Sequence, residues 1–335
     1  MSTSRTAVHD RALTATVVTR TPLFYVDGAD PALDRPAHVR AGSSLAWVPG
    51  GIALIQDDAN FVALVEPSDG RARAITLPAG VGGRRQFDDD RGNKAHKFDL
   101  EACVAVEREG ETLLLALGSG SSSRRERVAM IRDWERDDPD VSFVHVPRLY
   151  DVLRETRRFA GPELNVEGAV FLADRLRLFG RGNGASRDGE AAANATCDLD
   201  WATLLEHLDA PDRHPPPRPD AVMRYDMGDL DGVALGFTDA ARWGDGLLYS
   251  AAAEDSPDAV QDGRVTGSVL GVIASDGRTR WAALAEASGA TFTGKVEGVL
   301  PTPDAADRVY VVVDADDPDE PSALCTVELR GPWHA

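Results

Sequence analysis

Short hydrophobic runs recur in pairs along the chain, and a turn of Gly, Asp or Pro separates the two members of each pair. In the first pair, Ser44 opens an apolar run that ends before Gly50 and Gly51, and a second run leads to Asp57 and Asp58. Runs of about five residues between such turns are typical of β-strands. The pattern therefore predicts an all-β chain built from repeated strand pairs.

The strand pairs repeat with a period that indicates one closed fold. The equivalent start positions in five successive units are Ser44, Glu101, Glu167, Asp239 and Glu297. A long period that holds about four short strands is characteristic of propeller blades, because a lone blade cannot bury both of its faces. We therefore predict a single β-propeller domain over residues 1–335, with five blades. Six blades remain an alternative, because the residues before Ser44 could form part of an additional blade.

The remaining segments are expected to close the ring or to connect its blades. Residues 16–26 could pair with residues 323–329 to complete the last blade. A helical insertion is predicted at residues 201–208, which follow the N-cap candidates Asp198 and Asp200. Residues 149–159 fit either a short helix or a connection, and residues 84–97 are expected to form an exposed loop.

Charge and cysteine content exclude several classes of function. The chain has 55 acidic and 36 basic residues, a net charge of −19. Such a surface disfavours nucleic acid and anionic membranes, whose binding depends on Lys and Arg. The cysteines Cys103, Cys197 and Cys325 lie far apart, which argues against a disulfide framework and a zinc site. Without a membrane-length apolar run or a signal-like segment, the protein is expected to be cytoplasmic.

The five repeat positions also predict a metal site. Innermost strands line the channel of a propeller, so Ser44, Glu101, Glu167, Asp239 and Glu297 are expected to meet at one mouth. Converging carboxylates repel one another unless they are protonated, paired with Lys or Arg, or bound to a cation. Oxygen ligands without His or Cys suit calcium. Lys97 and Lys295 are the competing partners, so a lysine-paired ring remains the alternative.

The loops after the second strands suggest a site for a small anionic substrate. The candidates for substrate binding are Ser119, Ser121, Arg124, Arg125, Arg181, Asn183 and Asp316. Gly/Ser-rich backbone and guanidinium groups suit phosphate or carboxylate. Glu254 and His96 are the candidate general bases. The GxxxxGK[ST], GxSxG and HExxH motifs are absent from the sequence.

Several short motifs resemble known propeller families. The strings 97–102 (KFDLEA), 118–122 (GSGSS), 165–168 (NVEG), 253–256 (AEDS) and 295–298 (KVEG) are similar to those of an uncharacterised group of bacterial propeller proteins. The VEG strand starts also resemble phytase-like propellers, and the five-unit layout resembles the calcium-activated nucleotidases. The latter resemblance implies a central calcium ion held by Ser44, Glu101, Glu167 and Glu297, and hydrolysis of nucleoside diphosphates. Asp239 departs from that pattern.

The leading functional hypothesis is a calcium-dependent hydrolase that acts on a phosphoester or phosphoanhydride at the channel mouth. The ion would polarise a substrate oxygen and orient the attacking water. The alternatives are a lactonase-type hydrolase and a non-catalytic propeller that binds a ligand or protein around a structural metal.

Overall fold

The computed structural model describes residues 4–182, 192–255 and 263–334, and strands dominate them. Two N-terminal strands come first: β1 (Ser4–His9) and β2 (Thr14–Pro22). The first group follows: β3 (Phe24–Tyr25), β4 (Gly42–Val48), β5 (Gly51–Gln56), β6 (Phe61–Val65) and β7 (Arg71–Thr76). The second group is β8 (Leu100–Arg108), β9 (Glu111–Gly118), β10 (Arg127–Arg132) and β11 (Asp140–His145).

Three further groups complete the sequence of strands. The third is β12 (Val166–Leu172), β13 (Arg175–Gly180), β14 (Asn194–Asp200) and β15 (Asp220–Asp226). After β16 (Asp229–Leu230), the fourth is β17 (Val233–Trp243), β18 (Gly246–Asp255), β19 (Arg264–Ile273) and β20 (Thr279–Glu286). The fifth is β21 (Lys295–Pro301), β22 (Arg308–Asp314) and β23 (Ala323–Arg330).

Each group is an antiparallel meander, to which β3 is added in parallel beside β7, and the meanders surround a common axis. The first strands β4, β8, β12, β17 and β21 contact one another in that order, and β21 returns to contact β4. A cycle of first strands with successive strands further out is the arrangement of a β-propeller. The predicted all-β propeller is therefore confirmed.

The N-terminal strands join the ends of the chain into the ring. Strand β2 pairs antiparallel with β23, so that Ala15 lies opposite Leu329, and it supplies the fourth strand of the fifth group. Strand β1 pairs in parallel with both β15 and β20, at the outer edges of the third and fourth groups. The expected pairing of the N-terminal segment with residues 323–329 is confirmed, although β2 begins two residues earlier.

The hydrophobic core is divided among the interfaces between neighbouring groups. Separate buried clusters lie between successive groups, and another lies between the fifth and the first, where Val312 and Leu324 pack with Leu45 and Leu54. Burial of apolar area at about 25 cal/mol per Å² favours the stacking of the sheets. Polar side chains are instead concentrated at one end of the channel.

Three α-helices occur in the described part of the chain: α1 (Pro147–Glu155), α2 (Arg157–Ala160) and α3 (Trp201–Asp209). The Asp200 side chain accepts the Thr203 N–H at 2.9 Å and so caps α3, which buries Trp201 and Leu204. The predicted helix at residues 201–208 is therefore confirmed. None of the described helices has the length and apolar character needed to cross a membrane.

Candidate functional site at the channel mouth

A β-bulge interrupts every first strand. The register shifts by one residue at Ser43, Glu101, Glu167, Thr238 and Glu297. In a bulge, two residues of one strand lie opposite a single residue of the neighbouring strand. The side chain of the extra residue then points in a new direction. These residues occupy the equivalent positions at the mouth of the channel.

The bulges correct the alignment made from the sequence. Ser44 and Asp239 lie one residue beyond the bulge and are equivalent to Ala102, Gly168 and Gly298. The expected five-member ring is therefore wrong at two positions, because the sequence does not show where the extra residue enters. Glu101, Glu167 and Glu297 keep their equivalence.

Ser44 and Asp239 form a separate polar cluster. The Ser44 hydroxyl donates to Asp239 Oδ2 at 3.2 Å, and the Val299 N–H donates to the same oxygen at 3.0 Å. The Cys103 thiol lies 3.3 Å from Ser44 Oγ. Burial raises the pKa of Asp239 well above its ordinary value, against the effect of these hydrogen bonds. The cluster joins strands β4, β17 and β21 across the channel through hydrogen bonds.

Lys97 occupies the centre of an acidic cluster between the first and second groups. Its Nζ lies 2.5 Å from Asp57 Oδ2, 3.0 Å from Asp58 Oδ1 and 2.9 Å from Asp99 Oδ1. These carboxylates come from the end of β5 and the residue before β8. Their charges raise the pKa of Lys97 against the opposing effect of burial, so the ammonium form is strongly favoured. Lys97 thus serves as the resident cation of this cluster.

The segment that delivers Lys97 is not the exposed loop expected at residues 84–97. Phe87 is fully buried, and the Asn93 amide donates to the Gln86 carbonyl at 2.9 Å. Asp88 pairs with the buried Arg40 at 3.1 Å. The segment is folded against the mouth because a buried aromatic ring and an internal ion pair hold it there. Because the segment is rich in Arg and Asp, its composition indicates an exposed loop and does not reveal this packing.

The serines and arginines of the second group surround Asp99. Ser119 donates a hydrogen bond to Asp99 Oδ2, and Arg125 Nη1 lies 3.0 Å from that oxygen. Arg125 also donates to Ser121 Oγ at 2.7 Å. Arg124 is exposed. Of the expected anion-binding residues, three are therefore brought together, but around a carboxylate of the protein.

Arg181 is also engaged with carboxylates. Its Nη2 lies 2.5 Å from Glu254 Oε2, and its Nη1 lies 3.6 Å from Glu167 Oε1. The Asn165 amide donates to the same Glu167 oxygen at 2.5 Å. All three charged side chains are buried. Glu254, expected as a general base, is placed as the ion-pair partner of Arg181.

Lys295 organises the mouth on the fifth group. Its Nζ lies 2.9 Å from Glu297 Oε1, 3.5 Å from Asp316 Oδ1 and 3.7 Å from Glu254 Oε2. Lys295 therefore links the fourth and fifth groups as Lys97 links the first and second. Both lysines named from the sequence as competitors of a metal contact carboxylates.

The pKa values of the carboxyl groups at the mouth are shifted in opposite directions, upward for Glu167, Asp314 and Glu101 and downward for Asp99. Burial raises the pKa of Glu167 to about 8 and that of Asp314 to about 7. Burial, assisted by the charges of Asp57 and Asp99, also raises the pKa of Glu101. Burial opposes ionisation of Asp99 as well, but Lys97 and Arg125 outweigh it and lower that pKa. Protonated and ionised carboxyl groups therefore coexist at neutral pH.

Glu101 differs from its neighbours in its contacts. Among the described residues, none forms a hydrogen bond or an ion pair with its carboxylate. Oxygen atoms of Asp57, Asp99 and Glu101 all lie within 4.8 Å of one another. Hard oxygen ligands at this spacing fit calcium by donor type. Lys97 contacts two of the three ligands, so an ion could bind there only if this ammonium group moved.

The mouth opens into a cavity of about 240 Å³ between the first and fifth groups. Nine carboxylate residues and three basic residues line it. The acidic ones are Asp57, Asp58, Asp88, Asp89, Asp90, Glu297, Asp314, Asp316 and Asp317, and the basic ones are Arg40, Lys94 and Lys295. This wall attracts cations and repels anions.

Two predicted residues contribute little to this geometry. His96 ends a short 3-10 helix, and its Nδ1 is buried without a hydrogen-bond partner among the described residues. Asn183 lies outside the described residues. The residues that sequence reasoning missed are Asp57, Asp58, Asp99 and Asp314. Their common signal is a position at or just after the end of a second strand, or directly before a first strand.

A family model matches residues 93–318, which is more than half of the chain, under the description "Family of unknown function (DUF6910)". The chain belongs to this DUF6910 family. No protein of curated function matches it in sequence. The match agrees with the expected membership of an uncharacterised family, and the resemblance to phytase-like propellers and calcium-activated nucleotidases stays a prediction.

Solved structures of similar overall shape exist at low sequence identity. Glutaminyl cyclase from Myxococcus xanthus is 8% identical, with a TM-score of 0.46 and 99% of both chains covered. An α-L-arabinofuranosidase from Podospora anserina is 11% identical, with a TM-score of 0.42 and coverage of 99% of this chain and 100% of that one. An arabinanase from Bacillus subtilis is 9% identical, with a TM-score of 0.40 and coverage of 87% and 94%.

Proposed function

We propose that the protein is a hydrolase that uses carboxylate acid–base catalysis at the channel mouth. The observation that carries the proposal is the pair of Glu101 and Glu167, which occupy equivalent bulges on the neighbouring strands β8 and β12. The pKa of each is raised, with burial as the largest cause, and the charge of Glu167 adds to the shift of Glu101. Carboxyl pairs with displaced pKa values are suited to acid–base work.

The two residues would divide the proton transfers between them. Neighbouring carboxyl groups that interact in this way release their protons in two steps that belong to the pair. Glu167 in its protonated form would donate its proton to the leaving group. Glu101, which is free of hydrogen bonds among the described residues, would in its ionised form accept a proton from the attacking water. Asp99 would stay ionised and position Lys97 and Arg125.

The charge of the mouth favours a neutral or positively charged substrate. Arg125 and Arg181, expected to bind an anion, are paired with Asp99 and Glu254. The cavity between the first and fifth groups is lined mainly by carboxylates. A small hydroxyl-bearing molecule would accept hydrogen bonds from the cations and donate to the carboxylates. The phosphoester expected from the sequence has less support, because it would meet a negative wall.

Hydrolysis of chromogenic substrates tests the proposal. We expect neutral p-nitrophenyl glycosides or aryl esters to be cleaved and p-nitrophenyl phosphate to be left intact. Glu167→Gln should lose about 10²–10⁴-fold in rate on poor leaving groups and far less on activated ones, since the latter need no proton. Glu101→Gln should lose rate on both, and the exposed Glu111→Gln serves as the control. Cleavage unaffected by either variant would refute the assignment.

Calcium binding is a second candidate, favoured by the spacing of the Asp57, Asp99 and Glu101 oxygens. The ion, when bound, would polarise a substrate oxygen. A ligand that binds only the folded state raises the melting temperature. Thermal unfolding after EDTA treatment, and again with calcium, magnesium or manganese added, therefore tests this candidate. A rise with calcium that Glu101→Gln abolishes would support it, and equal melting temperatures throughout would contradict it.

A further inference from the structure

A second cavity, of about 280 Å³, lies at the opposite end of the channel from the charged mouth. It is lined by the later residues of all five first strands. Representative lining residues are Trp47, Cys103, Ala105, Phe171, Ala241 and Leu300. The bulges and ion pairs of the mouth lie at the beginning of the same strands. The two ends of the channel therefore differ in chemistry.

The walls of this cavity are held in place by contacts outside it. The Trp47 indole N–H donates to the Pro301 carbonyl at 2.9 Å, and its ring meets Tyr310 edge-on at 6.2 Å between centroids. Phe171 packs edge-on against Trp201 at 4.9 Å. Two aromatic walls fixed in this way give a cavity whose shape is formed before a ligand binds. Preformed apolar concavities of this kind are typical of small-molecule sites.

Alanine side chains create the space. The lining alanines are Ala46, Ala105, Ala169, Ala240 and Ala241. Close packing of protein interiors normally fills such positions with larger apolar side chains, since unfilled volume costs stability. Small residues on several strands around one opening leave a common volume, which an apolar molecule could fill.

The charges at the rim select against an ion. Glu107 and Arg242 are both exposed and are the charged residues in the lining, one of each sign. At the inner end, the Cys103 thiol is directed to Ser44 Oγ at 3.3 Å. With balanced charges at the rim and uncharged groups within, neither a cation nor an anion gains from entry. A neutral occupant is complementary to this lining.

We propose that this cavity is a binding site for a neutral, mainly apolar small molecule with an aromatic ring or a short alkyl chain. Burial of the apolar surface of such a molecule is favourable, and the aromatic walls add edge and face contacts. The site is separate from the charged mouth and does not depend on the activity proposed there.

Fluorescence of the neutral dye 6-propionyl-2-(dimethylamino)naphthalene tests the site on the full chain. We expect saturable binding of one dye per chain with blue-shifted emission. Ala241→Phe places a ring in the cavity and should raise the dissociation constant at least about tenfold, equivalent to about 1.4 kcal/mol. Ala234→Phe, at an exposed position on the same strand outside the cavity, is the matched control and should bind as the unaltered chain does.

Two further measurements keep the test decisive. If Ala241→Phe does not fold, as shown by its thermal unfolding, Ala105→Phe fills the same cavity from strand β8. Unlabelled naphthalene should displace the dye, and Glu101→Gln at the mouth should leave the dissociation constant unchanged. Absence of saturable binding to the unaltered chain, or equal binding by a folded cavity-filling variant, would overturn the proposal.

Discussion

Lys97 Nζ lies 2.5 Å from Asp57 Oδ2, and this contact joins the first and second strand groups at the channel mouth. The lysine is buried and also contacts Asp58 and Asp99. A buried ammonium group among three carboxylates neutralises charges that would otherwise repel one another. The ammonium group of Lys97 therefore lies at the centre of this acidic cluster, at the position where the sequence suggests a metal ion.

Lys97→Met should be strongly destabilising. Removing one member of a buried ion cluster leaves uncompensated charges and costs about 3–5 kcal/mol in the free energy of unfolding. Urea unfolding measures this change. Arg108→Met is the control, because Arg108 lies 3.1 Å from Asp174 with both side chains exposed, and surface pairs contribute about 0–1 kcal/mol. Equal effects of the two substitutions would contradict the structural role given to Lys97.

The same Lys97→Met variant should bind calcium more tightly than the unaltered chain. The substitution removes the ammonium group that competes for Asp57 and Asp99, while their oxygens and that of Glu101 remain within ligand spacing. Calcium titration followed by melting temperature should give a larger rise for the variant than for the unaltered chain. If the variant is no more responsive to calcium, the two cations do not share this cluster.

Stability should fall as the pH rises from about 4.5 towards 8. Glu167 has an ordinary pKa of 4.5, which burial raises to about 8 in the folded chain, so between these values the folded state holds a proton that the unfolded state has lost. Its contribution is complete below the unfolded pKa and is lost as pH rises through the folded one. Glu167→Gln should flatten the dependence of the unfolding free energy on pH between about 6 and 8. An unchanged slope would mean that Glu167 is ionised in the folded protein.

Asp239→Asn should be tolerated better than Asp239→Leu. Burial raises the pKa of Asp239, so its neutral form is favoured and an amide can replace it in shape and charge. Leucine would leave Ser44 and the Val299 N–H without their acceptor, at a cost of about 1–3 kcal/mol. Chemical denaturation of both variants measures the difference. A larger loss for asparagine than for leucine would indicate an ionised Asp239.

Ala15→Pro should weaken the closure of the ring. Ala15 on β2 pairs with Leu329 on β23 and with Leu284 on β20, so β2 has a neighbour on both sides. Proline removes a ladder N–H and is poorly accommodated in an interior strand, at a cost of about 3 kcal/mol or more. Ala15→Ser keeps the N–H and is the control. Similar melting temperatures for the two variants would argue against this closure.

Much of the fold could be predicted from the sequence because strand alternation and turn residues are local signals. The paired runs located the first two strands of each group, and the N-terminal segment was assigned to the closing strand. The helix at Trp201 was recognisable because its cap, Asp200, is adjacent in sequence. The packing of residues 84–97 could not be predicted in this way, since Phe87 is buried by residues distant in sequence.

The candidate site was predicted only in outline. Glu101, Glu167 and Glu297 share a position because the strand pattern repeats, but Ser44 and Asp239 were misaligned by one residue. Asp57 and Asp99 come together through the stacking of two groups, and Arg125 and Arg181 are directed to carboxylates of the protein. Pairing between distant charges depends on this stacking, which no local pattern encodes.

The sequence by itself determined the repeated strands, the closure by the N-terminal segment and the excess of acidic residues. Each follows from local hydrophobic periodicity or from composition. The tertiary structure alone decided which side chains meet at the mouth. A bulge shifts side-chain direction by one residue, and ion pairs form across sheets that are distant in the chain. Lys97 illustrates the difference. Its positive charge follows from the sequence, whereas its contacts with Asp57, Asp58 and Asp99 depend on how the sheets stack.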